Sequence, residues 1–112
     1  MMHANISDTE LTLMKIIWES DGSALYADIM QQLDDSGLGW KKNTVLTFLS
    51  RLVDKKMLSI KKIGRRNEYT ALVTEEQYKS QQTKRFLDNV YDGNVRGLVN
   101  TLVNNDLIPA DE

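Results

Sequence analysis

Basic side chains are concentrated in one short part of this chain. Residues 41–66 hold nine of the fourteen Lys and Arg residues and a single acid, Asp54, so the segment carries a formal +8 while the whole chain carries −2. Lys and Arg clustered on one face gain free energy by neutralising closely spaced phosphates and releasing their counterions. A charged run is more often a solvated face. Whether this segment is a phosphate-binding face or a solvated face therefore depends on the helices and strands that carry its basic residues.

A helix predicted over about Asn43 to Lys56 carries side chains suited to base recognition. At about 100° per residue, one sector is predicted to face the core and contains Val45, Phe48, Leu49, Leu52 and Lys56. The opposite sector is polar and contains Asn43, Thr44, Thr47, Ser50, Arg51 and Asp54. Short hydroxyl and amide side chains beside an arginine suit a helix that enters the major groove and reads base edges. Leu46 lies at the border of this polar sector as an isolated apolar residue.

The remaining N-terminal residues predict the elements that position this helix. A capping box at Ser7–Glu10 starts a first helix over about Asp8 to Ser20, and a second helix follows over about Leu25 to Leu33. Two strands, Leu58–Ile63 and Glu68–Leu72, are joined by residues 64–67, with Leu58 and Ile60 facing inward. Three helices followed by a basic hairpin predict a mostly α fold with a winged helix over residues 1–73.

Residues 74–112 predict a separate helical region. A second capping box at Thr74–Gln77 starts a long helix, and Lys79–Arg85 contains no apolar residue, which is typical of a helix that crosses solvent between two bodies. Apolar residues then recur at helical spacing. Because residues 1–72 account for one small core, we predict that this surface forms a homodimer; the alternative is that it folds back on the winged domain. The predicted interface residues are Phe86, Leu87, Val90, Tyr91, Val95, Leu98, Val99, Leu102 and Val103.

Several classes of function are not indicated by the residues. The chain has no cysteine, which excludes disulfides, thiolate metal sites and cysteine nucleophiles. The single histidine, His3, lies near the N terminus, where we expect no catalytic or metal role, and no glycine-rich phosphate loop occurs. We therefore expect no enzyme activity, cofactor or metal. No apolar run approaches the roughly 18 residues that cross a bilayer, and residues 1–7 lack the features of a secretion signal, so we expect a cytoplasmic protein with no membrane partner.

Three segments carry a resemblance to a known family. They are Ile6–Glu19, Thr44–Leu52, and Phe86–Gly93 with Leu98 and Val99. From about Ile6 to Val103 the chain resembles the penicillinase-repressor family, the BlaI/MecI/CopY type of bacterial winged-helix transcriptional repressors. The resemblance implies an N-terminal winged helix, a C-terminal helical dimerisation region, and repression of promoters that carry TACA/TGTA-like inverted repeats.

The resemblance also assigns expected roles to individual residues. The family's recognition helix falls on Asn43–Lys56, which implies groove contacts from Thr44, Thr47 and Arg51. Relatives often have a basic residue at the position of Leu46, so this leucine either touches a thymine methyl or is simply exposed. Lys42 would hold a phosphate, and Arg65 and Arg66 would grip the DNA backbone or a minor groove. The full predicted DNA-binding set is Lys41, Lys42, Asn43, Thr44, Leu46, Thr47, Ser50, Arg51, Lys55, Lys62, Arg65 and Arg66.

Two hypotheses of function follow from these observations. The leading one is a dimeric repressor that binds a palindromic operator in double-stranded DNA and blocks polymerase until a signal lowers its affinity. The alternative is a protein-interaction module whose basic patch, Lys61–Arg66, meets an acidic partner.

The family's known inducing signals do not map onto this sequence. Copper-responsive members use a C-terminal cysteine cluster, which this chain lacks, and antibiotic-responsive members are cleaved at an Asn-Phe bond where this chain has Thr101-Leu102. Relatives often continue into a further helix, so the resemblance implies that the second region is truncated and would dimerise weakly.

Overall fold

The computed structural model describes residues 5–109, and the chain divides into two units. The first unit ends at Glu75 and contains α1 (Asp8–Glu19), β1 (Ser23–Leu25), α2 (Tyr26–Asp35), α3 (Lys42–Asp54), β2 (Leu58–Ile63) and β3 (Arg66–Ala71). The second unit begins at Glu76 and contains nearly all of α4 (Glu75–Tyr91) together with α5 (Val95–Asn104). His3 lies outside the described residues. The predicted division into domains at residue 73 stays a prediction.

Each helix of the first unit contributes an apolar stripe to one core. The capping box that starts α1 is confirmed: the Glu10 N–H donates to Ser7 Oγ at 3.2 Å, and the Ser7 N–H donates to Glu10 Oε1 at 2.8 Å. The fully buried helical residues are Leu13, Met14, Ile17, Ile29, Leu33, Val45, Leu49 and Leu52. Their spacing is the helical period that the sequence shows. With the β-hairpin that follows α3, these helices form the predicted winged helix.

A three-stranded antiparallel sheet completes this unit, in the order β1-β3-β2. The sequence did not predict β1. Leu25, predicted to start the second helix, is the last residue of this strand and the N-cap of α2, with extended backbone angles of φ −76° and ψ 149°. Ser23 lies opposite Thr70, and the two hydroxyls share a hydrogen bond of 2.8 Å. A strand of three residues is too short to show an alternating pattern.

The wing is a tighter hairpin than the sequence predicted. Ile63 pairs with Arg66, so only Gly64 and Arg65 form the turn, and β3 starts at Arg66 rather than Glu68. Gly64 has φ +63°, the positive value that a two-residue hairpin turn of type II′ needs at its first central position. The glycine therefore fixes the register of the whole hairpin.

Two residues that were predicted to lie on the core side are not buried. Lys56 was placed in the apolar sector of the third helix, but α3 ends at Asp54 and Lys56 is exposed in the left-handed region at φ +64°. The helical wheel does not extend past the end of the helix. Ile60 lies opposite the buried Tyr69 and so shares the inward face, as predicted, but on the edge strand β2 it is 48% exposed, and only Leu58 of that strand is buried.

The second unit has little buried surface. Its two helices are separated by Asp92 and Gly93, both at positive φ, and Asn94 Oδ1 caps α5 by accepting the Gly97 N–H at 3.1 Å. All ten residues of α5 are described, and none of them is buried. Across residues 5–109, no helix has both the length and the apolar character needed to cross a bilayer.

Candidate nucleic-acid interface

The two sides of α3 differ sharply in character. Val45, Leu49 and Leu52 are fully buried and attach the helix to the core. The exposed side carries the predicted base-reading and phosphate-binding residues of this helix, which are Lys41, Lys42, Asn43, Thr44, Leu46, Thr47, Ser50 and Arg51. The fold therefore brings these eight side chains onto one solvent-facing surface. Their contact with DNA stays a prediction.

Two lysines lie where a helix is least favourable for cations. Lys41 is the N-cap of α3, without a side-chain cap hydrogen bond, and Lys42 is the first helical residue. The N-terminus of a helix carries a partial positive charge and unpaired N–H groups, so lysines there work against the helix dipole. Helix stability does not account for this placement. Phosphate binding would, because N–H groups and lysines at one end of a helix both attract an anion.

The hydroxyl of Thr47 already has a defined role in the helix. Its Oγ1 donates to the backbone oxygen of Asn43 at 2.8 Å. The hydroxyl hydrogen is thus used within α3, which leaves the oxygen lone pairs as acceptors and the methyl group for an apolar contact. In this geometry Thr47 is suited to accept a hydrogen bond from a base amine.

Arg51 is held against an aromatic ring. Its guanidinium carbon lies 5.0 Å from the centre of the Phe48 ring, within the range of a cation–π interaction. Phe48 was predicted to face the core, but it is only half-buried, and its outer face is available to Arg51. The contact limits the conformational freedom of the Arg51 side chain before any partner binds. Sequence reasoning missed it, although the i, i+3 spacing of the two residues was a usable signal.

The wing presents positive charge on both of its faces. Lys62 lies opposite Asn67, and Arg66 lies opposite Ile63. Neighbouring cross-strand pairs point to opposite sides of a sheet, so Lys62 and Arg66 leave the hairpin in opposite directions. Arg65 lies between them in the turn, and all three side chains are exposed.

Lys55 differs from the other predicted DNA contacts. Its Nζ donates to Glu10 Oε1 at 2.8 Å and to the backbone oxygen of Asn5 at 3.1 Å. Glu10 is only 2% exposed; burial acts to raise its pKa, but hydrogen bonds from Lys55 and Ser7 outweigh burial and hold the pKa below the ordinary value. From the sequence, only a capping role was predicted for Glu10. Lys55 as a DNA contact stays a prediction, and this ion pair argues against it.

The predicted dimer residues lie in the second unit and keep much of their surface. Phe86, Val90, Val95, Val99 and Val103 are exposed, while Leu87, Tyr91, Leu98 and Leu102 are half-buried. The rings of Phe86 and Tyr91 pack against each other with centroids 5.7 Å apart. Among residues 5–109, no cluster of three or more His, Asp or Glu side chains is arranged to hold a metal ion.

Comparison with known proteins places these features in a family context. Residues 6–112 match the family described as penicillinase repressor. The penicillinase repressor of Bacillus licheniformis is 32% identical over 107 residues, which cover 96% of this chain and 82% of that protein. The methicillin resistance regulatory protein MecI of Staphylococcus aureus is 30% identical over 110 residues, covering 96% of this chain and 85% of MecI.

Solved structures show the same likeness. The solution structure of the DNA binding domain of the repressor BlaI superposes with a TM-score of 0.59 at 34% identity, covering 69% of this chain and 94% of that domain. The monomeric form of Bacillus licheniformis BlaI in complex with the blaP half-operator gives 0.58 at 32% identity, covering 69% and 92%. The CopR repressor gives 0.51 at 43% identity, covering 62% and 99%.

Proposed function

This chain belongs to the penicillinase repressor family, and we infer from that membership and from its basic surface that it is a DNA-binding transcriptional repressor. The family consists of DNA-binding repressors rather than enzymes. The observation that carries the assignment is the exposed polar side of α3, which is backed by a fully buried apolar stripe. A helix anchored in this way can enter a groove without losing its packing.

In the proposed complex, α3 lies in the major groove. Arg51 donates to the acceptor edge of a guanine, and Thr47 accepts from a base amine. Lys41 and Lys42 bind phosphates at the start of the helix, while Arg65 and Arg66 bind the backbone beside it. The complex of monomeric BlaI with a half-operator supports the idea that one winged domain occupies one half-site.

The full operator requires two such domains. The exposed apolar residues of α5, Val95, Val99 and Val103, recur every four residues and therefore lie along one side of the helix. Pairing of these surfaces in a twofold-symmetric dimer would present two α3 helices to the two halves of an inverted repeat. A TACA/TGTA-like palindrome is the expected sequence, and its occupancy would block polymerase in the cytoplasm.

Selection of duplexes from a random pool, followed by titration of the recovered sequence, tests this function. The recovered sites should share an inverted repeat. Affinity should fall linearly on a plot of log affinity against log salt, with a slope of about −0.9 for each phosphate contacted. A slope equivalent to several phosphates is the expected result, because the first unit exposes lysine and arginine at both α3 and the wing.

The control in this experiment is a scrambled duplex of the same length and composition. It should bind more weakly but with a substantial salt dependence of its own, since phosphate contacts do not depend on sequence. Absence of duplex binding at low salt, together with binding to an acidic protein partner, would overturn the assignment in favour of the protein-interaction alternative.

A further inference from the structure

A partly buried ion pair connects the beginning of α1 to the end of α3: Glu10 is buried, and the Lys55 side chain is 29% exposed. Glu10 and Lys55 are 45 residues apart in the chain, and their charged atoms are 2.8 Å apart. The same Glu10 oxygen accepts the Ser7 N–H, and the same lysine nitrogen donates to the Asn5 backbone oxygen. The lysine thus binds the chain on both sides of the α1 cap.

The burial of this pair is not explained by stability alone. Removing the Glu10 carboxylate from water costs several kcal/mol, and an ion pair in such a place is often no more stabilising than apolar residues of similar volume. Glu10 Oε2 is also buried, and it has no hydrogen-bond partner among the described residues. Holding a carboxylate in this position is therefore costly. The pair can instead favour one geometry, because an arrangement that leaves the buried carboxylate without its cation is strongly destabilising.

Lys55 stands at the junction between the recognition helix and the wing. It is the C-cap of α3, and its N–H donates to the backbone oxygen of Arg51 at 2.9 Å. Two residues later, Met57 is fully buried, and its backbone oxygen accepts the Leu72 N–H at 2.9 Å as the wing begins. The anchor point of the ion pair is therefore adjacent to both elements that would contact DNA.

We propose that Glu10 and Lys55 are positioning residues that fix the orientation of α3 against α1, and that Lys55 does not contact phosphate. By fixing the end of α3, the pair would keep the base-contacting side chains of α3 correctly placed relative to the phosphate-contacting side chains of the wing. This inference rests on the proposed DNA-binding function and deepens it, since it separates one lysine of the basic segment from the DNA-contacting set.

Duplex binding by a Lys55→Met variant of this chain, measured over a range of salt concentrations, tests whether Lys55 contacts a phosphate. A lost phosphate contact would reduce the steepness of the salt slope by about 0.9. We expect the slope to remain that of the wild type. Preference for the selected duplex over its scrambled control should instead fall by about fivefold or more, the lower end of the effect of losing one good base contact. The matched control is Lys15→Met, which removes the same charge from an exposed position of α1 and should change neither quantity.

A second variant guards against loss of folding, since Lys55→Met leaves the Glu10 carboxylate buried without its cation. The double variant Glu10→Gln with Lys55→Met removes both charges and keeps an oxygen for the Ser7 cap, so it should fold. Circular dichroism would establish that it does, and its duplex preference should be reduced like that of the single variant. If the double variant does not fold, Glu10→Gln alone, which keeps the lysine and the cap acceptor, takes its place. Its preference for the selected duplex over the scrambled control should be reduced in the same way.

The results separate this inference from the function on which it rests. A slope reduced by about 0.9 with duplex preference retained would make Lys55 a phosphate contact and overturn the proposal. A folded double variant with the wild-type preference would show that the pair does not position α3. A wild-type protein without salt-dependent duplex binding would remove the proposed function itself, and this inference with it.

Discussion

The two units of the chain use apolar residues in opposite ways. In the first unit, α1, α2 and α3 each place residues at full burial, and the exposed side of α3 is mainly polar and basic. In the second unit, α5 buries none of its ten residues and exposes a row of valines. Contiguous apolar surface on a folded protein commonly marks an interaction site. The first unit therefore has a core of its own, whereas we infer that the row of valines on the second is covered by another copy of the chain.

The largest effect is expected from substitutions in the proposed dimer surface, at Val99 and Val103 of α5. Changing both residues to Asp should convert dimers into monomers, because burying an unpaired carboxylate costs about 3–5 kcal/mol. Leu98 and Leu102 are less suitable, since they are half-buried. Sedimentation velocity measures the change, and operator affinity should fall with it.

The matched control adds the same charge to the polar side of α5. Asn100→Asp with Asn104→Asp changes exposed positions on the same helix and should leave the dimer intact. Dimers that survive the valine substitutions would place the interface elsewhere and would remove the contrast between the units.

The next effect concerns the independence of the first unit. Leu49→Ala empties a fully buried position and should lower its free energy of unfolding by about 2–5 kcal/mol. Urea denaturation followed by tryptophan fluorescence reports this unit alone, since Trp18 and Trp40 both belong to it. Val90→Ala, at a position that is 59% exposed, should change the same transition by less than about 0.5 kcal/mol. Equal losses from both variants would show that the units share one core.

Arg51→Ala should remove a base contact and cost about 1–3 kcal/mol of discrimination between operator variants. Competition titrations with single-base variants of the selected duplex measure it. Arg51→Lys is the informative companion, because it keeps the charge but loses the planar fork that binds guanine through two hydrogen bonds. If discrimination is the same in all three proteins, Arg51 does not read a base.

Arg65→Ala with Arg66→Ala tests the wing. Binding should weaken on every duplex, and the salt slope should become shallower by about 1 for each lost phosphate contact. Lys15→Ala on α1 provides the control with one charge removed outside the basic segment. A slope that is identical to that of the wild type would exclude the wing from the DNA interface.

The smallest expected effect is at Leu46, which is 40% exposed beside the polar residues of α3. If it touches a thymine methyl, replacing that thymine by uracil should weaken wild-type binding about fourfold, the effect of one buried methyl-sized group. The same replacement should be neutral for Leu46→Ala. Uracil replacements that leave wild-type affinity unchanged at every position would mean that Leu46 is simply an exposed leucine.

Much of the fold was predictable because its signals are local. The Ser7–Glu10 cap and the apolar stripes of α1 to α3 depend on residues within a few positions of each other, and the sequence shows them directly. Strand β1 was not predictable, because its three residues form a strand only by pairing with β3 about 45 positions later. The exposure of Lys56 and Ile60 was not predictable for a related reason. Lys56 is exposed because α3 ends before it, and Ile60 is exposed because it lies on an edge strand.

The candidate site, too, has a part that could be predicted from the sequence and a part that could not. Side chains on the exposed face of α3 follow from helical periodicity, so the sequence was enough to group them. The Glu10–Lys55 pair joins residues whose proximity depends on how α1 packs against the end of α3. No pattern along the chain separates a lysine that will meet a carboxylate from one that will remain in solvent.

Because the turn contains only Gly64 and Arg65, the number of residues in each strand of the hairpin sets the face from which each basic side chain projects. Side chains along a strand alternate between the two faces, so inserting one residue into one arm would turn the following residues of that arm to the opposite face. An uncharged residue inserted into β2 before Lys62 would therefore bring Lys62 to the face that Arg66 occupies, without any change in net charge. In this protein, counting residues at a loop is therefore as consequential for the placement of positive charge as the identity of the residues themselves.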